Sequence, residues 1–292
     1  MKSDWIDAFL VFSECMNFTH AAEQLYISQP ALHTKIRKLS EHLEMKLYQK
    51  QGRNLILTDE GRKIQVFARE MHERSEAFIG ELRSDKSTSP VKLAAGNGAY
   101  LYLLGPSILE FNKASSTPIQ LIISNKEQTI ACVETGEAHI GIAAVTSSTA
   151  SLKCTLLTKV NQAVVMQKSH RLSNRKRLSL SDLEGESLIL PPMDKLHRIN
   201  IEQALQSKEI NYNVSVEASG WELMIQFVQL GAGMTIVNGC CNIPKTLISI
   251  PIPELPEISY SIIEKTNNWR NEAVDQLKQI LLKNKNAWKN KQ

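Results

Sequence analysis

Phe18-Thr19-His20-Ala21-Ala22-Glu23-Gln24-Leu25-Tyr26-Ile27-Ser28-Gln29-Pro30-Ala31-Leu32-His33-Thr34-Lys35-Ile36-Arg37-Lys38-Leu39 reads as two short helices joined by a tight turn. Thr19 is placed to cap the first, whose buried face is Ala21, Ala22 and Leu25; the small alanine pair lets a second helix cross closely. Ile27 fills the turn. Ser28 is the natural cap of the second helix, and Pro30 is tolerated in a first turn whose N–H groups lack helical partners. Ala31, Leu32, Ile36 and Leu39 make an inward stripe. Gln29, His33, Lys35, Arg37 and Lys38 face outward, with Thr34 between the faces. This is the build of a helix that enters a DNA major groove. Gln29 suits an adenine edge, Lys35, Arg37 and Lys38 suit phosphates, and free N–H groups near Thr19 and Ser28 suit phosphates too.

The flanks extend this module. Trp5, Ile6, Phe9, Leu10 and Phe12 recur at helical spacing ahead of it. Behind it, Lys50-Gln51-Gly52-Arg53-Asn54 reads as a hairpin tip and Leu55-Ile56-Leu57 as the return strand. Arg53 on that tip suits the DNA backbone or the minor groove. From Ser28 to Thr58 six Lys or Arg oppose Glu41 and Glu44, a local excess that says more than the net charge of +4 for the whole chain. The competing reading is a helical surface domain whose cations are merely solvated.

Thr58-Asp59-Glu60-Gly61 opens a long helix, with Thr58 as cap and two acids in its first turn. Ile64, Met71 and Phe78 repeat every seven residues, and Phe67, Ser75 and Leu82 fill a second seam, which predicts a coiled-coil-like dimerisation helix or packing on the chain's own domain. Asp85 to Pro90 reads as a hinge. From Val91 strands and helices alternate, the pattern of a parallel α/β sheet. The expected organisation is a DNA-binding module over 1–58, a linker helix and hinge over 59–90, and an α/β domain over 91–292. Ligands in such folds sit at strand C-termini against helix starts. That rule nominates Asn97, Gly98, Ala99 and Tyr100, then Asn125, Met193, Ser219 and Asn238.

Other classes are weaker. No nucleophile elbow, phosphate-binding loop or dinucleotide fingerprint occurs, so no catalytic role and no cofactor are expected. The seven histidines show no zinc spacing, so no metal is expected. Five cysteines without framework spacing fit a reducing cytoplasm, and adjacent Cys240 and Cys241 raise a redox-responsive alternative. Asp4 and Asp7 break up the apolar start, so no signal peptide and no membrane partner are expected. The lysines at 283, 285, 289 and 291 read as a solvated helix end. A ligand-independent architectural DNA binder is the third alternative.

Phe18-Thr-x-Ala-Ala-x-x-Leu, Ser28-Gln-Pro-Ala-Leu, Ile36-x-Lys-Leu, Leu43-x-x-x-Leu47 and Leu57-Thr58-x-x-Gly61, in that order, resemble the LysR-type transcriptional regulators, and the likeness runs the length of the chain. Glu134-Thr-Gly-Glu-Ala-His-Ile-Gly-Ile, Leu180-Ser-Asp-Leu-Glu-Gly and Val228-Gln-Leu-Gly-Ala-Gly-Met resemble later landmarks. The resemblance implies a winged helix-turn-helix, a dimerising linker helix and a two-lobed effector domain of periplasmic-binding-protein type. Lobe 1 would span about 91–161 and 265–292, and lobe 2 about 162–264, with crossings near Asn161–Gln162 and Ile262–Lys265. It also implies double-stranded DNA, a polar or carboxylated small-molecule effector, RNA polymerase and further copies of the chain, as dimer or tetramer, as partners. His20, His33 and Thr34 stand where the family often has Arg or Ser, and Asn97-Gly98-Ala99-Tyr100 lacks the common Ser or Thr of the effector loop.

Overall fold

The computed structural model describes residues 2–82, 89–266 and 271–286; residues 85–88 of the expected hinge and the lysines at 289 and 291 lie outside them. Three helices come first: α1 (Ser3–Cys15), α2 (Phe18–Gln24) and α3 (Gln29–Leu43). Phe9, Phe12, Ala21, Leu32, Ile36 and Leu39 are buried together in their core. Strands β1 (Tyr48–Gln51) and β2 (Asn54–Leu57) form an antiparallel hairpin with Gln51 opposite Asn54. Gly52 takes φ +63° at the first position of its two-residue turn, a conformation side chains with a Cβ avoid.

Helix α4 (Asp59–Leu82) leads away from the wing. Thr58 Oγ1 accepts from Gly61 N–H at 3.0 Å, the expected cap. The expected seam is rearranged. Ile64 is half-buried against the core of its own helix-turn-helix, whereas Phe67, Met71 and Phe78 stay exposed by 39%, 44% and 60%. The unpartnered stripe of α4 is therefore Phe67–Met71–Phe78; the side chain of Leu82 lies outside the described residues.

The remaining chain builds two five-stranded sheets. The first draws on β3 (Val91–Ala95), then α5 (Asn97–Ala99), a wide π-type turn over Tyr100–Leu104, α6 (Gly105–Ala114), β4 (Ile119–Ile123), α7 (Lys126–Glu134), β5 (Ile140–Ala143) and β6 (Leu152–Val160). The second draws on β7 (Gln162–Gln167), β8 (Ser187–Leu190), α8 (Leu196–Gln206), β9 (Asn213–Glu217), α9 (Trp221–Gln229), β10 (Met234–Asn238) and β11 (Leu247–Pro251). Then β12 (Ile258–Lys265) and α10 (Glu272–Lys283) follow. Strand orders are β4-β3-β5-β12-β6 and β11-β7-β10-β8-β9.

The sheets are mixed rather than parallel throughout. β12 runs antiparallel to β5 and β6, and β7 antiparallel to β10 and β11. The outward crossing is the single residue Asn161. The return precedes Ile258, because β12 pairs with β6 along its full length; the chain re-enters the first sheet several residues before the expected 262–265. Gln162 ties the two crossings, donating from Nε2 to the Pro256 carbonyl at 2.9 Å. Helix α10 returns to lobe 1, where Lys283 pairs with Glu110 of α6 at 2.8 Å.

Candidate nucleic-acid interface and ligand cleft

The interface starts from its caps. Ser28 Oγ accepts from Ala31 N–H at 3.3 Å, as expected, and leaves Gln29 and Pro30 exposed at the tip of α3. The cap of α2 is Asn17, not Thr19: Asn17 Oδ1 accepts from Thr19 N–H at 2.9 Å and His20 N–H at 3.2 Å. Phe18 begins the helix because its ring packs against Phe12 at 4.3 Å between centroids. Thr19 remains exposed, but its own N–H is engaged by the cap.

On α3, Gln29, His33 and Arg37 succeed one another at four-residue spacing on an exposed face, with Lys38 exposed beside them. His33 also lies against Phe18, with centroids 5.1 Å apart. Thr34 is half-buried and donates back to the Pro30 carbonyl at 2.9 Å. Lys35 corrects the expectation. It turns toward α1, half-buried, and pairs with Asp4, so it is not among the free cations of the groove-facing surface. Arg37 carries an i,i+4 contact to Glu41 at 3.5 Å and stays well exposed. Arg53 stands exposed at the tip of the β1–β2 wing.

A cleft of about 330 Å³ opens between the sheets. Lobe 1 contributes Asn97, Gly98 and Ala99 after β3, Ser124 to Lys126 and Thr129 after β4, and the end of β5. Lobe 2 contributes Gly220, Trp221 and Glu222, and β12 contributes Tyr260. Trp221 bridges the lobes. An ideal Cβ on Gly98 would lie 2.5 Å from its ring, so only glycine admits the indole there. Its other neighbour is Tyr102, with centroids 6.1 Å apart. Burial, and then the nearby Glu222 carboxylate, push the Tyr102 hydroxyl far above the usual tyrosine range.

Four nominated residues stand elsewhere. Tyr100 turns inward in the π-type turn, its single hydroxyl proton shared between the Leu93 and Ile122 carbonyls at 2.6 and 3.0 Å. Burial pushes its hydroxyl up in the same way. Met193 is 65% exposed and outside the cleft lining. Ser219 is exposed one residue short of the lining. Asn238 is fully buried and donates from Nδ2 to the Tyr260 hydroxyl at 2.9 Å, supporting a cleft residue rather than lining the cleft itself. Trp221, Glu222 and Tyr260 escape the sequence rule. The rule of strand ends and helix starts reaches Trp221 and Glu222 if it is carried two residues past Gly220; nothing local in the sequence marks Tyr260.

All five cysteines are free thiols. Burial and Glu137 push Cys132 up to about 11. The hydrogen bond with Cys240, and then burial, hold the Cys241 thiol far above its ordinary range. Among the described residues no group of three His, Cys, Asp or Glu is placed to hold a metal, and no helix is long and apolar enough to cross a membrane.

Comparison with known proteins gives the same two parts. Residues 3–62 match the bacterial regulatory helix-turn-helix model of the lysR family, and residues 84–285 match the LysR substrate binding domain. An uncharacterised HTH-type transcriptional regulator of Escherichia coli K12, YbhD, is 24% identical over 85% of this chain and 80% of its own length. A full-length OxyR variant from Pseudomonas aeruginosa superposes with a TM-score of 0.76 at 19% identity, covering 96% of this chain and 94% of that one. CbnR complexed with its target DNA superposes with a TM-score of 0.62 at 15% identity, covering 97% and 99%. With a family model spanning more than half its length, the chain belongs to the LysR family of DNA-binding transcriptional regulators.

Proposed function

We propose that a small molecule held between the two lobes sets how this regulator occupies its operator. The observation that carries the reading is the cleft itself. Its walls come from both lobes and meet at Trp221 against Gly98, so a ligand there has different contacts in open and closed arrangements. That difference is what lets a ligand shift an equilibrium. The readout surface is Gln29, His33, Arg37 and Lys38 on α3, with Arg53 on the wing, the exposed Thr19 side chain on α2 and the helix start at Ser28. Self-association through Phe67, Met71 and Phe78 doubles the DNA footprint, and a dimer of dimers sets two such footprints relative to each other. Movement of one pair against the other changes DNA bend and the access of RNA polymerase.

The test has two arms. Bound DNA is first mapped genome-wide to supply an operator. Gln29→Ala should then lower affinity for that operator by about 1–3 kcal/mol while binding to random duplex persists. Equal loss on both sequences would remove Gln29 as a base reader.

A second reading rests on Cys240 and Cys241, which lie within electrostatic reach of the cleft residue Tyr260 and of Tyr102 behind the Trp221 ring. Oxidation there would act on the same cleft. The raised Cys241 thiol keeps thiolate, the species oxidants attack, scarce at neutral pH at that position. Operator binding with and without peroxide, in the native chain and in Cys240→Ser and Cys241→Ser, separates the two readings.

A further inference from the structure

Granted the effector reading, the protons left to give in the cleft decide what it can hold. Ser124 and Thr129 are buried with their hydroxyls 2.7 Å apart, and Thr129 also donates to the Asn125 carbonyl at 2.8 Å. A hydroxyl has one proton. Thr129 uses its own on Asn125, so Ser124 is the donor to Thr129, and Ser124 Oγ is left with acceptor capacity only. The start of α7 is taken up in part, at Asn125 and Gln128. Asn125 Oδ1 accepts from Gln128 N–H at 2.8 Å, and Gln128 Oε1 accepts from Asn125 N–H at 3.1 Å. Two amide donors that would hold an anion at this helix start are already engaged.

The opposite wall adds negative charge. Glu222, in the first turn of α9, forms no ion pair among the described residues and lines the cleft beside the Trp221 ring. A carboxylate ligand would meet its repulsion, whereas an ammonium is attracted by the carboxylate and by the indole face. Donors also remain: the start of α9 has no side-chain cap. Lys126 is the one cation among the described lining residues, and the Tyr260 hydroxyl, which accepts from Asn238, keeps its own proton to donate.

We propose that the effector is a small ammonium-bearing molecule, its amine set against Glu222, Ser124 Oγ and the Trp221 ring, and any acceptor end directed to Lys126 and Tyr260. This departs from the carboxylated metabolite implied by the family resemblance. A bridging ligand of this kind ties Glu222 of lobe 2 to Ser124 and Lys126 of lobe 1 and so favours the closed arrangement.

Thermal unfolding of the full chain tests the class with two matched sets at equal ionic strength: putrescine, 4-aminobutyrate and succinate; phenethylamine, phenylalanine and phenylacetate. At least one amine-bearing member should raise Tm in proportion to the logarithm of its millimolar concentration, while its purely carboxylated match does not. Glu222→Gln should weaken that amine by about tenfold or more. Lys126→Gln should weaken the zwitterion of the same set and spare the plain amine. A carboxylate as the best stabiliser, undiminished in Glu222→Gln, overturns the class and leaves the cleft reading intact. A stabilising amine indifferent to both substitutions binds outside the cleft and overturns class and site together. No shift with any of the six overturns the class.

Discussion

Gly61→Ala is the substitution whose outcome follows most directly from atomic positions. Gly61 sits in the first turn of α4 beneath the Lys46–Leu47 segment that feeds the wing. A Cβ at this position would lie 2.9 Å from the Leu47 carbonyl carbon and 3.3 Å from its Cα, and still closer to the carbonyl oxygen. Carbon atoms at rest stay about 3.5 Å apart or more. The obstacle is backbone of a fully buried residue, so no side chain can rotate away. The same segment is clamped by Thr58, whose N–H donates to Leu47 at 3.2 Å and whose Oγ1 donates to Lys46 at 2.6 Å. Alanine gains about 1 kcal/mol of helix propensity over glycine. Overpacking of about 1–3 kcal/mol and a lost hydrogen bond of about 1 kcal/mol outweigh it. The net expectation is destabilisation by about 1–3 kcal/mol, felt first in the DNA-binding module, with the Arg53 tip displaced and operator affinity reduced. Calorimetry would resolve the module's transition from that of the two-lobed domain, and fluorescence anisotropy would read operator binding. A variant as stable as the parent that binds operator equally well would refute the close-approach argument.

Further outcomes follow from single contacts. Arg53→Ala should reduce the slope of log affinity against log salt by about one unit, whereas Lys35→Ala, already paired with Asp4, should leave that slope nearly unchanged; equal slopes for both variants would contradict the placement of Lys35. Phe67→Asp and Phe78→Asp should lower the assembled mass in sedimentation, since both rings are exposed on α4; an unchanged mass would exclude that stripe from self-association. Burial pushes the Glu73 carboxyl up, but the hydrogen bonds and charges of His139 and Lys92 outweigh it and hold the group below its ordinary value. Its contribution is therefore present above the unfolded carboxylate range and lost as pH falls through the depressed folded value. Thermal unfolding on the acid side should show that loss in the native chain and a flatter limb in Glu73→Gln; identical limbs would remove Glu73 as an anchor of α4.

What the sequence reveals depends on how far apart the cooperating residues lie. The caps Ser28 and Thr58, the inward stripe of α3 and the Gly52 turn are set by neighbours within four residues, and they fold as read. Thr19 misleads because Asn17 is an equally good cap two residues earlier; the choice falls to Asn17 when Phe18 must enter the helix to meet Phe12. Lys35 is decided by Asp4, 31 residues away, and Ile64 by the helix-turn-helix core it leans on. Local pattern carries neither fact. The cleft is half legible. Asn97, Gly98, Ala99 and Asn125 line it as the strand-end rule expects, but the lobe 2 wall depends on how two sheets face each other. The crowding of Gly98 by Trp221 joins residues more than a hundred positions apart, and no spacing rule anticipates it.

Helix α7 connects the cleft to the DNA-binding module. It is nine residues long, about 13 Å at 1.5 Å per residue. Its beginning lines the cleft through Asn125, Lys126 and Thr129. At its end the Thr135 carbonyl accepts from Arg69 Nη1 of α4 at 3.0 Å, and Arg69 Nη2 bonds Glu14 of α1 at 2.8 Å. Its middle is seated on β5, where an added Cβ on Gly141 would come within 2.8–2.9 Å of Thr129 and Val133 methyls. A helix held so closely transmits displacement as a body instead of bending. Two more ties, Lys265 to Glu70 at 3.0 Å and Lys92 to Glu73 at 3.2 Å, fasten α4 to lobe 1 and not to lobe 2. Among the described residues these ties join α4 to lobe 1, so a movement of lobe 2 alone leaves them in place. A ligand that displaces the start of α7 therefore loads Arg69 at the other end of the same helix, beside the ties that α4 makes to β12 through Lys265 and to β3 through Lys92.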